Sequence, residues 1–91
     1  MDDSDMTVLD VRQPAEWADG HIPGARFITG AEIPERLNEV SATAPLAVVC
    51  GSGYRSAVIA SFLRARGHED VRNVTGGMSA WRKAGLPTER D

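Results

Sequence analysis

The chain holds one cysteine, Cys50, inside the segment Cys50-Gly51-Ser52-Gly53-Tyr54-Arg55-Ser56. With no second cysteine there is no internal disulfide, and with no companion Cys or His at ligand spacing there is no zinc knuckle. Two readings of the thiol remain, inert core filler or reactive nucleophile. A lone strand-end cysteine is as a rule filler, so its neighbours must decide. Cys50 closes a continuous apolar run, Leu46 to Cys50, and stands just before a helical pattern, Arg55 to Arg66. A thiol so placed faces the positive end of the helix dipole and backbone N–H groups without internal partners, which favours the thiolate. Gly51 and Gly53 permit the positive φ of a tight anion nest. Arg55 adds a fixed positive charge suited to an oxyanion. The arrangement reads as a nucleophilic thiolate in a ring of donors. A phosphate loop is the competing reading of such a turn, but neither G-x-x-x-x-G-K-[ST] nor G-x-G-x-x-G is present.

Strands and helices must alternate to bring that turn about. Met6 to Val11 is a short aliphatic strand, and Pro14 to Asp19 a helical turn closed by Gly20. His21 to Ala25 is a Pro-Gly turn, Arg26 to Thr29 a brief strand, and Pro34 to Val40 an exposed helix with proline in its first turn. Leu46 to Cys50 is the clearest strand. Arg55 to Arg66 is the clearest helix, with Val58, Ile59, Phe62 and Leu63 as its apolar stripe and Gly67 as its C′ glycine. Val71 to Val74 is another strand, and Met78 to Ala84 a last helix ending at Gly85. This order specifies an α/β class protein with a short parallel sheet flanked by helices in three layers. In such sheets ligands gather at the carboxyl ends of strands, where Cys50 lies.

The 91 residues suffice for one domain, 1–91, and their 42% apolar and 25% charged content is that of an ordinary globular protein. A net charge of −3, with Arg64, Arg66 and Arg72 interleaved with Glu69 and Asp70, argues against nucleic acid as a partner. No window approaches the ~20 apolar residues of a membrane span. The acidic start, Met1-Asp2-Asp3-Ser4-Asp5, is unlike a secretory signal, so the expected location is cytoplasmic. The first strand arrives almost at once, leaving nothing before it to cover one edge of the sheet. The expectation is a minimal domain or one excised from a longer chain with a fusion or partner domain.

With these residues in hand, the chain resembles the rhodanese homology domain. Val8-Leu9-Asp10-Val11-Arg12 looks like the family's L-x-D-x-R strand end. Glu16-Trp17 with Gly20-His21-Ile22-Pro23-Gly24-Ala25 is similar to its E-[FY]-x-x-G-H-I-P-G-A block, with Trp17 in the aromatic position. Cys50 to Ser56 looks like the C-x-S-G-x-R-S active-site loop, and Asn73 through Trp81 with Gly85-Leu86-Pro87 like the closing G-G-x-x-x-W…G-x-P block. The blocks stand in family order from Val8 to Pro87. The resemblance implies a rhodanese-like fold and a sulfurtransferase. The six residues from Cys50 to Arg55 fit sulfur transfer, whereas related phosphatases and arsenate reductases use a loop one residue longer. The pattern is also similar to rhodanese modules fused behind metallo-β-lactamase-fold persulfide dioxygenases. Gly51 puts no cationic side chain directly after the cysteine, which speaks against a thiosulfate specialist.

On this reading Cys50 is the nucleophile that carries sulfur as a persulfide, and the amides of Gly51, Ser52, Gly53, Tyr54, Arg55 and Ser56 stabilise its charge. Arg55 orients an anionic donor, thiosulfate or a low-molecular-weight persulfide, and a thiol or protein accepts the sulfur. No metal or organic cofactor is implied. Asp10 braces the cysteine loop, and Arg12 forms an ion pair with Glu16, four residues on. His21 is structural, His68 lies on the surface, Trp17 and Trp81 are core or rim aromatics, and Met78 lines the pocket mouth. An accessory rhodanese module that docks or relays sulfur in a larger protein is the alternative.

Overall fold

The computed structural model describes residues 6–40 and 44–90. Four strands form one parallel sheet in the order β2-β1-β3-β4: β1 (Thr7–Asp10), β2 (Arg26–Phe27), β3 (Leu46–Val49) and β4 (Val71–Asn73). Helix α1 (Pro14–Ala18) links β1 to β2, α2 (Tyr54–Ala65) links β3 to β4, and α3 (Gly77–Lys83) follows β4. β1 and β3 pair over their full length, Thr7 with Leu46 through Asp10 with Val49. The first strand therefore lies between β2 and β3, and the edges are the two-residue β2 and the three-residue β4. Such short edges offer little template for foreign strands.

Alternation along the central strands sorts the core into two faces. Leu9, Leu46 and Val48 join Ala60 and Leu63 of α2 and Ile28, Ile33 and Val40 in the larger cluster. Val8 and Val49 point the other way, toward Ile22 and Met78 and Trp81 of α3. The result is the three-layer α/β arrangement that the order of elements requires. Among the described residues no helix is long and apolar enough to cross a membrane.

Three expectations change. The segment from Pro34 to Val40 is not one helix: 3-10 turns at Gly30–Glu32 and Leu37–Glu39 flank an irregular turn. So short a segment closes few helical hydrogen bonds, and burial of Ile33 and Val40 fixes its path instead. On α2, Val58 is 59% exposed, and the buried line is Ser56, Ala60 and Leu63. Val58 lies two residues from both Ser56 and Ala60 and so falls on the far side of the helix. His68 is buried rather than on the surface. Gly67, at φ +96°, ends α2 with its N–H on the Arg64 carbonyl and the His68 N–H on that of Leu63. That reversal folds the imidazole inward, 3.2 Å from the carbonyl oxygens of both Leu63 and Val40.

Candidate active site

Cys50 follows directly on β3 and is completely buried. Its Sγ accepts a hydrogen bond from the Gly53 N–H at 3.1 Å. That contact requires the loop to double back, which it does at Gly53, the N-cap of α2, with φ +97°. Burial pushes the Cys50 thiol up, but the Ser56 hydroxyl and the amides of Ser56, Gly53 and Ser52 outweigh it, and the net shift is downward. The ring of donors expected around the sulfur thus comes from the far half of the loop and the first turn of α2. The side chains of Ser52 and Tyr54 are exposed and add nothing to it.

Two neighbouring segments hold this loop in place. At the end of β4, the Asn73 carboxamide donates from Nδ2 to the Gly53 carbonyl at 3.2 Å, while its Oδ1 accepts from the Ser56 hydroxyl. Behind the cysteine, the start of α3 clasps the loop's carbonyls: the Met78 N–H donates to Cys50 O at 2.8 Å and the Ser79 N–H to Gly51 O at 2.9 Å. Gly77 allows that approach, since a Cβ there would stand 2.2 Å from Cys50 O.

The polar residues flanking the loop pair differently from the sequence reading. Asp10 does not brace the cysteine loop, and Arg12 does not pair with Glu16. The Asp10 carboxylate accepts from the Arg12 backbone N–H, Nε and Nη2 at 2.8–3.0 Å, and Arg12 Nη2 also donates to Gly20 O. Both are buried, so this pair locks the end of β1 to the turn after α1. Residues 10 and 12 share one side of an extended chain, which brings the two together before Glu16 is in reach. Glu16 instead takes Arg55 in a two-pronged ion pair, Nη1–Oε1 2.8 Å and Nη2–Oε2 2.9 Å. The hydrogen bond to Arg55 lowers the Glu16 pKa to about 2, against the opposing effect of its partial burial. Reciprocally, the Glu16 carboxylate raises the Arg55 pKa, with a smaller contribution from the charge of the Cys50 thiolate.

A cavity of about 280 Å³ opens beside Gly51, lined by Arg12, Glu16, Asp19, Gly51, Met78, Ser79 and Arg82. Met78 lines it as expected, though buried to 97%. His21 is structural: its ring stacks on Trp17 with centroids 3.5 Å apart, and its backbone bridges to Glu89. Asn73, Glu16 as partner of Arg55, and Arg82 were missed as site residues. The block from Asn73 to Gly77 carried a signal for the first; Arg82 carried none. Among the described residues no three of His, Cys, Asp and Glu gather as a metal site.

The cysteine thus lies buried in a donor-lined loop at a parallel strand end, clasped from behind by the first N–H groups of α3. The profile of the rhodanese-like domain matches residues 1–84. The thiosulfate sulfurtransferase GlpE of Pseudoalteromonas translucida is 36% identical over 84 residues, 92% of this chain and 80% of the relative. A sulfurtransferase of Allochromatium vinosum is 37% identical over 86 residues, 94% of this chain and 80% of the relative. A crystal structure of a rhodanese-related protein from Thermoplasma volcanium superimposes with a TM-score of 0.90 at 33% identity, covering 96% of this chain and 86% of the other. The chain belongs to the rhodanese-like domain family. With the cysteine loop complete, it is a sulfurtransferase of the rhodanese type.

Proposed function

We propose that the protein moves sulfane sulfur from an anionic donor to a thiophilic acceptor through a persulfide on Cys50. The observation that carries this reading is the Gly53 N–H on the Cys50 sulfur, in a loop whose Ser56 hydroxyl and amides hold the thiol below its ordinary pKa. The thiolate attacks the outer sulfur of the donor. With thiosulfate, the Cys50–sulfur bond forms as the sulfur–sulfur bond breaks, and sulfite leaves with the bonding pair. The loop amides then face a persulfide anion in place of the thiolate. An acceptor thiolate attacks the terminal sulfur, leaves as a new persulfide and restores Cys50. A low-molecular-weight persulfide serves as donor by the same step, with its own thiolate as leaving group. No general base is needed, because both nucleophile and leaving groups are stable anions. The names of the two bacterial relatives support sulfur transfer, and that of the first supports thiosulfate as one donor.

Intact mass after incubation with thiosulfate tests the proposal. The wild-type chain gains the mass of one sulfur atom, and Cys50→Ser gains none. Absence of a gain with thiosulfate and with glutathione persulfide alike would sink the persulfide reading.

A further inference from the structure

Arg55 carries its guanidinium over the cysteine loop at Gly51, yet its fork is already filled. The Glu16 carboxylate occupies Nη1 and Nη2 at 2.8 and 2.9 Å, in the two-pronged geometry that a sulfonate or sulfate group would adopt. Glu16 does not hang loosely there. Its Oε1 also accepts from the Gln13 N–H at 3.0 Å, as the far arm of the α1 capping box, so its position is set by the helix. The pair lies over the loop: a Cβ on Gly51 would stand 3.0 Å from Arg55 Nη2 and 3.5 Å from Glu16 Oε2. Glu16 also lines the 280 Å³ cavity beside Gly51.

Resting on the sulfur-transfer reading, we propose that Glu16 is a specificity-determining residue, a tethered carboxylate that competes with the donor for the Arg55 fork and so discriminates against dianions. A dianionic donor such as thiosulfate must both displace this carboxylate and lie beside it. A monoanionic persulfide needs less of the fork and meets less repulsion. While the pair is intact, the Arg55 hydrogen bond holds the Glu16 pKa down to about 2, so the competing carboxylate carries its charge. Both side chains are partly exposed, 44% for Arg55 and 36% for Glu16, so the competition is moderate and an anion can win it.

Glu16→Gln isolates the effect, because glutamine supplies the same capping oxygen and removes only the charge. The KM for thiosulfate is expected to fall about two- to fivefold, the span of a partly exposed ion pair, with kcat little changed. The KM for hydroxyethyl persulfide, a monoanion, moves by less. Sulfate binding, read as protection of Cys50 from iodoacetamide, tightens by the same factor as the thiosulfate KM, and that gain disappears when Arg55→Gln is added. The sulfate readout involves no sulfur transfer, so it judges Glu16 even where the mass test fails. An unchanged or weaker sulfate affinity in Glu16→Gln, or an equal shift in KM for both donors, overturns the proposal and leaves Glu16 as a brace for Arg55.

Discussion

Replacing Gly77 by alanine tests whether the start of α3 holds the cysteine loop. The added Cβ would stand 2.2 Å from Cys50 O and 2.8 Å from Gly51 C and O, all backbone atoms, where ordinary contact begins at 3.4 Å. Loop and helix must part by more than an ångström, which removes the hydrogen bonds from Met78 N–H to Cys50 O and from Ser79 N–H to Gly51 O. Gly77 also sits at φ +54°, where a non-glycine residue costs about 1–2 kcal/mol. Two buried hydrogen bonds add about 0.5–1.5 kcal/mol each. The expected loss is about 2–5 kcal/mol, a large part of a small domain's ~5–15 kcal/mol. Urea unfolding followed by the fluorescence of Trp17 and Trp81 reads this as a lower midpoint at unchanged slope. Gly85→Ala is the control: at φ +75° with open space around its Cβ, it meets the backbone cost and no clash. A Gly77→Ala loss no larger than that of Gly85→Ala, with sulfur loading at the wild-type rate, would refute the reasoning.

Two further outcomes follow from the same geometry. Asp10→Asn leaves the Arg12 guanidinium buried without its counter-charge and is expected to cost about 3–5 kcal/mol; a loss below about 1 kcal/mol in urea unfolding contradicts a lock at the end of β1. Because the fold lowers the Cys50 pKa, the reactive thiolate is present above that pKa and is lost as the pH falls through it. The iodoacetamide rate of the wild type should therefore reach half its maximum below the ~8.5 of a free thiol. In Ser56→Ala the profile should move to higher pH, and a profile that stays put assigns the stabilisation to the amides alone.

What the sequence disclosed is what neighbouring residues decide. The apolar run Leu46 to Val49, the glycines at 51 and 53 and the periodicity of α2 are local signals, and they put Cys50 at a strand end beneath a helix start. The pairings were beyond reach because they join distant parts of the chain. Glu16 meets Arg55 across 39 residues, and Asn73 meets Gly53 across 20. Spacing alone matched Arg12 with Glu16 as for a helical pair, but residue 12 precedes the helix and its extended backbone turns the guanidinium onto Asp10. His68 looked exposed among Arg66, Glu69 and Asp70; only the left-handed turn at Gly67 shows that it faces inward. The stripe on α2 was misjudged at Val58, since Ser56 and Ala60, too small or polar to count as core by type, are the residues that touch the sheet side.

The complete burial of Cys50 bears on which bond an acceptor is able to break. A persulfide presents two electrophilic centres. Attack on the inner one expels hydrosulfide and strands the protein in a mixed disulfide, whereas attack on the outer one passes the atom on. On the proposed mechanism the second sulfur extends about 2 Å beyond the first, toward the mouth of the loop. The inner centre stays at the buried position of Cys50, against the Gly53 amide. On that mechanism burial favours attack on the outer sulfur, the productive outcome.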